Sequence, residues 1–152
     1  MVPFPHRYAV TAAGTLNGEV MLTAEGLPAL PSASPAEFGG PGDRWSPETL
    51  LVGAVADCFI LTFRAIARAS NLTWTSMACD VEGTLDRVAR VTQFTAFRLK
   101  ARLRVPCGTD TALAGRLLQK AEEACLITNS LKAACHLEAD VQTDTHVAAG
   151  VV

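Results

Sequence analysis

The sequence has few of the residues that build metal sites. Its three histidines, His6, His136 and His146, are scattered, and no two of its five cysteines have C-x-x-C spacing. Zinc sites need several such ligands, usually in closely spaced pairs. The odd number and irregular spacing of the cysteines also differ from the disulfide framework of a small secreted protein. We therefore expect no metal centre and no cofactor.

The chain also lacks an excess of charge of one sign. Its net charge is −2 over 152 residues, so nucleic acid is not an expected partner. The start, MVPFPHRYAV, has prolines, His6 and Arg7 where a signal peptide needs an apolar run, and no stretch is expected to approach a membrane span. The sequence predicts one domain over residues 1–152, located in the cytoplasm and not bound to a membrane.

Two stretches of the sequence are predicted to be helices, and each carries a cysteine on its apolar face. In residues 47–69 the apolar positions recur every three to four residues, and Cys58 lies on that stripe. A second helix, at about 110–124 and capped by Thr109 or Asp110, has the same pattern with Cys125 at its end. A buried free cysteine is most often a small hydrophobic residue, so a chemical role needs further support.

The rest of the chain is predicted to form strands joined by turns and loops. Asn17-Gly18 predicts a hairpin turn, and a proline-rich and glycine-rich loop follows from Pro28 to Asp43. The tail from Thr145 onward is predicted to fray. The predicted strands are residues 6–13, 18–24, 73–86, 91–105 and 134–143.

Three stretches of the sequence resemble one known family. They are EFGGPGDRWSPETLLVGAVADCF (Glu37 to Phe59), VEGTLDRV, and ACLITNSL (Ala124 to Leu131). Together they combine a Pro-Glu helix start, a cysteine ten residues after that Glu, and a second cysteine that opens C-x-x-x-N-S-L. This pattern is similar to that of the OsmC/Ohr superfamily, the osmotically inducible protein C and organic hydroperoxide resistance proteins.

The resemblance implies a thiol-dependent peroxidase that reduces organic hydroperoxides. Cys58 would be the peroxidatic nucleophile and Cys125 the cysteine that resolves it. A thiolate attacks the O–O bond, and the resulting sulfenic acid condenses with a nearby thiol to form a disulfide. Reduction then requires an external dithiol, for which the resemblance suggests a lipoyl-type dithiol or a small thiol.

Glu48 matches the family's active-site carboxylate, and two interpretations of it stay open. Glu48 and Cys58 are ten positions apart on one predicted helix, about 15 Å along its axis, so they cannot touch within one chain. If Glu48 organises the thiolate, it should come from a partner subunit. Alternatively, Ser46 as cap, Pro47 in the first turn and Glu48 at the positive helix end are a complete helix start.

One position departs from the family pattern. Hydroperoxide-resistance proteins carry an arginine in the N-terminal hairpin that holds the thiolate, and Leu16 stands at that position here. The first substitute cation is Arg44 and the second is Arg7, because a guanidinium beside a thiol favours its charged form. Either arginine could equally be a solvated surface charge.

The resemblance also implies the architecture, an α+β OsmC-like fold. Curved antiparallel sheets would wrap around a long central helix, and two chains would form an intertwined homodimer. An apolar fraction of 49% also fits an obligate interface. An apolar pocket would favour bulky organic peroxides, unless its candidate residues belong to the core. These candidates are Phe38, Trp45, Phe59 and Phe63.

Two other functional classes remain open. A hotdog-type thioesterase also places a carboxylate on a central helix, with Glu48 or Asp57 as base, and would work after both cysteines became serine. A non-catalytic thiol sensor or small-ligand binder would keep the fold without efficient turnover. The missing hairpin arginine keeps this second alternative open.

Overall fold

The computed structural model describes residues 3–145. The chain forms two compact units, residues 1–51 and 52–152, and each is described by itself. His146 and nearly all of the tail that was predicted to fray lie outside the described residues. The elements, in chain order, are β1 (Thr11–Ala13), β2 (Val20–Thr23), β3 (Leu30–Ser32), α1 (Pro47–Ala69), β4 (Ser76–Val88), β5 (Val91–Val105), α2 (Thr111–Ala124) and β6 (Ala134–Thr143).

The first unit contains a small antiparallel sheet with strand order β1-β2-β3. The predicted turn lies between β1 and β2, where Gly18 has a φ of 95°, a conformation that glycine adopts without strain. The third strand was not predicted, because its residues belong to the proline-rich stretch that was interpreted as a loop. Ser32 in this strand bridges to Trp45, so the long loop returns to the sheet just before α1.

Helix α1 begins and ends where its sequence signals predict. Ser46 is the N-cap: its Oγ accepts a hydrogen bond from the backbone N–H of Thr49 at 3.1 Å. In return, Thr49 Oγ1 accepts a bond from the N–H of Ser46 at 2.8 Å, which completes a reciprocal cap. At the other end Asn71 adopts a positive φ of 52°, which terminates the helix.

The second unit contains the long strands and α2. Its sheet has the order β4-β5-β6, with β4 antiparallel and β6 parallel to β5. The expectation of antiparallel sheets is therefore wrong for β6. The connection from β5 to β6 passes through α2, and such a helical crossover returns the chain in the original direction. α2 packs against β6, and its predicted cap is confirmed, because Asp110 Oδ1 accepts from the N–H of Leu113 at 2.9 Å.

One face of the long sheet is apolar and the other is charged. Alternate residues of β5 from Phe97 to Val105 are fully buried or nearly so. The residues between them are basic and pair with acids on both neighbouring strands, as in the 2.6 Å contact of Arg102 with Asp80. This alternation is typical of a sheet with one face in the core and one in water. The α-helical side chains of the core are Val55, Phe59, Phe63, Ala67, Ala114, Leu117, Leu118 and Ala121.

Helix α1 is long and apolar enough to cross a membrane, judged by length and composition alone. The expectation that no stretch approaches a membrane span is wrong in that respect. An 18-residue window has a mean hydropathy of 1.9, because apolar residues lie on most sides of the helix. The core helix of a water-soluble protein has the same properties, so a single such helix is weak evidence for a membrane.

Candidate active site

Cys58 lies in the middle of α1, in the second unit. Its neighbours Val55 and Phe59 are fully buried, while Cys58 itself is only half-buried. The next residue on the same face, one turn later, is Thr62, and its Oγ1 is 3.8 Å from the Cys58 Sγ. Cys58 therefore combines a packed surrounding, a polar contact and a partly accessible sulfur.

Cys125 lies where α2 ends, and it is fully buried. The helix stops because Cys125 has an extended backbone, with ψ at 112°. Three polar residues after it bond back to the end of the helix. Thr128 Oγ1 donates to the Cys125 carbonyl at 3.1 Å, Asn129 Nδ2 to the Glu123 carbonyl at 3.0 Å, and Ser130 Oγ to the Leu126 carbonyl at 2.7 Å. These bonds satisfy carbonyl groups that a helix end leaves without partners, and they fix the position of Cys125.

The fold brings Cys58 and Cys125 together. Burial raises the pKa of Cys125, and a side-chain hydrogen bond to Cys58 raises it further. The backbone N–H and hydroxyl of Thr128 act in the opposite direction and lower it. Cys125 therefore lies close enough to Cys58 for the two thiols to interact.

Two more cysteines lie close enough to Cys125 to interact with it electrostatically. Burial, and then the Asp80 carboxylate, raise the pKa of Cys79 to about 11. Burial, Glu122 and Cys125 raise the pKa of Cys135. A raised pKa leaves little thiolate near neutral pH, so neither is suited to make the first attack on a substrate. Within residues 3–145, no group of three or more His, Cys, Asp or Glu side chains has an arrangement that could hold a metal ion.

Arg44 and Glu48 lie in the first unit. Arg44 Nε bonds Glu19, and its Nη1 lies 3.1 Å from Asp43 Oδ2. These two acids raise the pKa of the Arg44 guanidinium. The Oε2 of Glu48 is buried and has no hydrogen-bond partner among the described residues. Leu16, at the family's arginine position, is 96% exposed.

The four aromatic candidates for a substrate pocket have two different environments. Phe59 and Phe63 are fully buried, and Phe63 makes an edge contact with Trp74. Phe38 and Trp45 are more than half exposed. Trp45 and Arg44 line a shallow depression of about 310 Å³ in the first unit, together with Pro31, Gly42, Asp43 and Thr49. The assignment of all four aromatic residues to one pocket stays a prediction.

Two residues of this site were not predicted from the sequence. Thr62 lies four residues after Cys58, on the same helical stripe, but its contact with the sulfur was not predicted because a threonine on a helix usually packs or bonds its own backbone. Thr128 lies inside the quoted stretch ACLITNSL. Its position three residues after the cysteine could have suggested a bond back to the helix end.

Comparisons of the sequence and of the fold with known proteins point to one family. The family model described as OsmC-like protein matches residues 40–140, more than half of the chain. An uncharacterised protein of Bacillus subtilis, YmaD, is 31% identical over 109 residues, which cover 68% of this chain and 71% of YmaD. The peroxiredoxin OsmC of Escherichia coli is 30% identical over 93 residues, which cover 61% of this chain and 64% of the relative, less than two thirds of its length.

Solved structures of similar fold include a Legionella pneumophila protein described as an organic hydroperoxide resistance protein OsmC. It has a TM-score of 0.72 and 26% sequence identity, covering 92% of this chain and 99% of its own.

Proposed function

The chain belongs to the OsmC-like protein family, and we propose that it is a thiol-dependent peroxidase that reduces organic hydroperoxides to alcohols. The proposal is supported chiefly by the proximity of Cys58 in α1 and Cys125 at the end of α2, whose interaction raises the pKa of Cys125. Relatives described as a peroxiredoxin and as an organic hydroperoxide resistance protein support the same reaction class. A pair of adjacent thiols is what a peroxidase with a disulfide intermediate needs.

In the first step, the Cys58 thiolate attacks the terminal oxygen of the hydroperoxide. The O–O bond breaks, Cys58 becomes a sulfenic acid, and the alkoxide leaves and takes up a proton to become the alcohol. The partial exposure of Cys58 gives the peroxide access to the sulfur. The Cys125 thiol interacts with Cys58, so the second thiol is already close when Cys58 has been oxidised.

In the second step, the Cys125 sulfur attacks the Cys58 sulfur and displaces its hydroxyl group. The proton of Cys125 leaves with that group as water, and a Cys58–Cys125 disulfide forms. An external dithiol then reduces the disulfide, and both cysteines return to thiols while the dithiol becomes a disulfide. We propose a lipoyl-type dithiol or a small thiol as the reductant and the cytoplasm as the location.

A second copy of the chain is the proposed partner, in an intertwined homodimer. In the first unit, nearly all residues of β1 and β2 are exposed, and a small sheet without a buried face is not stable alone. Phe4 and Tyr8 are also more than 80% exposed. A second copy would cover this surface and could supply a donor to the buried Glu48 oxygen. Light scattering should then give twice the mass of one chain, and the mass of a single chain would contradict the dimer.

The first test is turnover of cumene hydroperoxide with excess dihydrolipoamide. We expect steady consumption by the unmodified protein and none by Cys58→Ser. Cys125→Ser should turn over more slowly, because only the external dithiol is then left to condense with the Cys58 sulfenic acid. Cys107→Ser is the matched control and should keep full activity, since Cys107 is exposed and belongs to no described site.

Three other outcomes would each contradict the proposed peroxidase activity. Stoichiometric oxidation of Cys58 without turnover would favour a thiol sensor, the function that the absence of the hairpin arginine leaves open. Peroxide consumption that is unchanged in Cys58→Ser would exclude this cysteine as the nucleophile. Hydrolysis of acyl thioesters that survives the loss of both cysteines would favour the thioesterase.

A further inference from the structure

Thr62 is the polar neighbour of Cys58 on α1. It lies four residues after Cys58, so both side chains project from the same face of the helix. Helical side chains tilt towards the N-terminus, which directs the Thr62 hydroxyl back to the preceding turn. The resulting Oγ1 to Sγ distance is 3.8 Å, within hydrogen-bond reach for sulfur. Both residues are half-buried, so water competes only partly for this contact.

We propose that Thr62 is a positioning residue for the nucleophile, and that its hydroxyl donates a hydrogen bond to the Cys58 thiolate. While Cys58 is a thiol, either atom of the pair can donate. Once Cys58 is ionised, only the hydroxyl retains a proton, and a hydrogen bond to a charged acceptor is stronger than one between neutral groups. The contact therefore favours the reactive form of Cys58 over the resting form.

The positions where a cation was predicted from the sequence explain why such a donor matters in this chain. The hairpin position where a guanidinium is expected holds Leu16. The substitute Arg44 is engaged by Glu19 and Asp43. Cys125, at the end of α2, also interacts with Cys58. Thr62 supplies a neutral donor from α1 itself, so an uncharged group supports the thiolate.

Other titratable groups near the pair must be kept constant in a test. Cys125 contacts Cys58 directly, and Cys79 on β4 and Cys135 on β6 interact with Cys125. Asp57 precedes Cys58 on α1 and is exposed. A substitution at Thr62 leaves all of these groups in place, so any change at Cys58 reports the loss of the hydroxyl.

The experiment measures the rate of alkylation of Cys58 by iodoacetamide, followed on its own peptide by mass spectrometry. Thr62→Val replaces the hydroxyl with a methyl group of the same shape. We expect this variant to react about fivefold more slowly at pH 7, as the loss of one hydrogen bond implies. Thr62→Ser retains the hydroxyl and should stay within about twofold of the unmodified protein. The difference should vanish at a pH high enough to ionise Cys58 in every variant.

Two results would overturn the proposal. One is an equal rate in Thr62→Val and the unmodified protein at pH 7. The other is a slower rate at every pH, which would indicate restricted access. Circular dichroism checks the fold, and Thr62→Ala provides a second hydroxyl-free variant should Thr62→Val not fold. The role of the contact in catalysis rests on the proposed peroxidase activity, but the alkylation rate of Cys58 is measured without peroxide. Failure of turnover and failure of this inference are therefore distinguishable.

Discussion

At the scale of single residues, the two sulfur atoms have different environments that suit different tasks. Cys58 is partly exposed, whereas Cys125 is fully buried. Burial and the interaction with Cys58 raise the pKa of Cys125, and Thr128 opposes this effect. The accessible sulfur is suited to meet a substrate, and the buried one to act only after its neighbour has been oxidised.

Thr128→Val should slow the resolving step. The valine removes the hydroxyl that lowers the pKa of Cys125, so less thiolate is available to attack the sulfenic acid. A net loss of about 1 kcal/mol for one hydrogen bond corresponds to a roughly fivefold slower step. The measurement is the yield of dimedone-trapped Cys58 after a peroxide pulse, which should rise in the variant. Thr128→Ser is the control, and equal yields in all three proteins would contradict the assignment.

The sequence predicted the two cysteines but not what surrounds them. Cys58 and Cys125 could be singled out because each lies on an apolar helical face inside a recognisable motif. Thr62 shares the helical face of Cys58, but neither it nor Thr128 was singled out. The hydrogen-bond partner of a threonine depends on side-chain directions that residue spacing alone does not give. The pairing of Arg44 with Glu19 likewise joins residues far apart in the sequence.

At the level of elements, α1 carries the proposed nucleophile, and several sequence signals define where this helix begins. Ser46 is nearly fully buried and bonds Thr49 in both directions. Such a cap satisfies backbone N–H groups that the first turn of a helix leaves free. Later along α1, Val52 approaches β4 so closely that a Cβ added to Gly83 would lie 2.9 Å from its methyl group.

Ser46→Ala should destabilise the protein by about 1 kcal/mol, within the usual range for the loss of an N-cap. The reason is that the N–H of Thr49 loses its acceptor while the site stays buried. Urea unfolding followed by circular dichroism gives the difference in the free energy of unfolding. Ser70→Ala is the matched control, because Ser70 is exposed just beyond the other end of α1. An unchanged midpoint in Ser46→Ala would show that the cap contributes nothing.

Signals in the local sequence predicted the bounds of helices and strands better than they predicted which strands pair and in which direction. The bounds of α1 and β6 were predicted correctly because caps, periodicity and flanking turn residues all lie nearby in the sequence. The direction of β6 was not predicted, since it depends on where α2 returns the chain. β3 was missed because it is only three residues long and contains Pro31, which sequence patterns assign to loops.

At the scale of the whole molecule, several thiols make the folded state sensitive to alkaline pH. Cys79, Cys125 and Cys135 all have raised pKa values, and that of Cys79 is about 11 against an ordinary 9.0. The folded protein therefore retains protons that the unfolded chain releases. The stabilising contribution is fully present below pH 9.0 and is lost as the pH rises through about 11.

Cys79→Ala should lose less stability between pH 8 and pH 10.5 than the unmodified protein does. The alanine cannot ionise, so the contribution of Cys79 to the alkaline loss disappears. The measurement is the urea midpoint at both pH values with reductant present, and the comparison uses the difference between them. Cys107→Ala controls for the loss of an exposed thiol. Equal losses of stability in the unmodified protein and in Cys79→Ala would show that ionisation of Cys79 does not contribute to the alkaline loss.

Oxidation of Cys58 by a hydroperoxide and its resolution by Cys125 can be followed on the protein itself. The reduced protein is oxidised with one equivalent of cumene hydroperoxide, the remaining thiols are blocked, and the peptides are mapped by mass spectrometry without reduction. We expect a Cys58–Cys125 disulfide as the main product, with Cys79, Cys107 and Cys135 recovered as blocked thiols. A sulfinic acid at Cys58 beside a free Cys125, or a disulfide from Cys58 to another cysteine, would contradict this expectation.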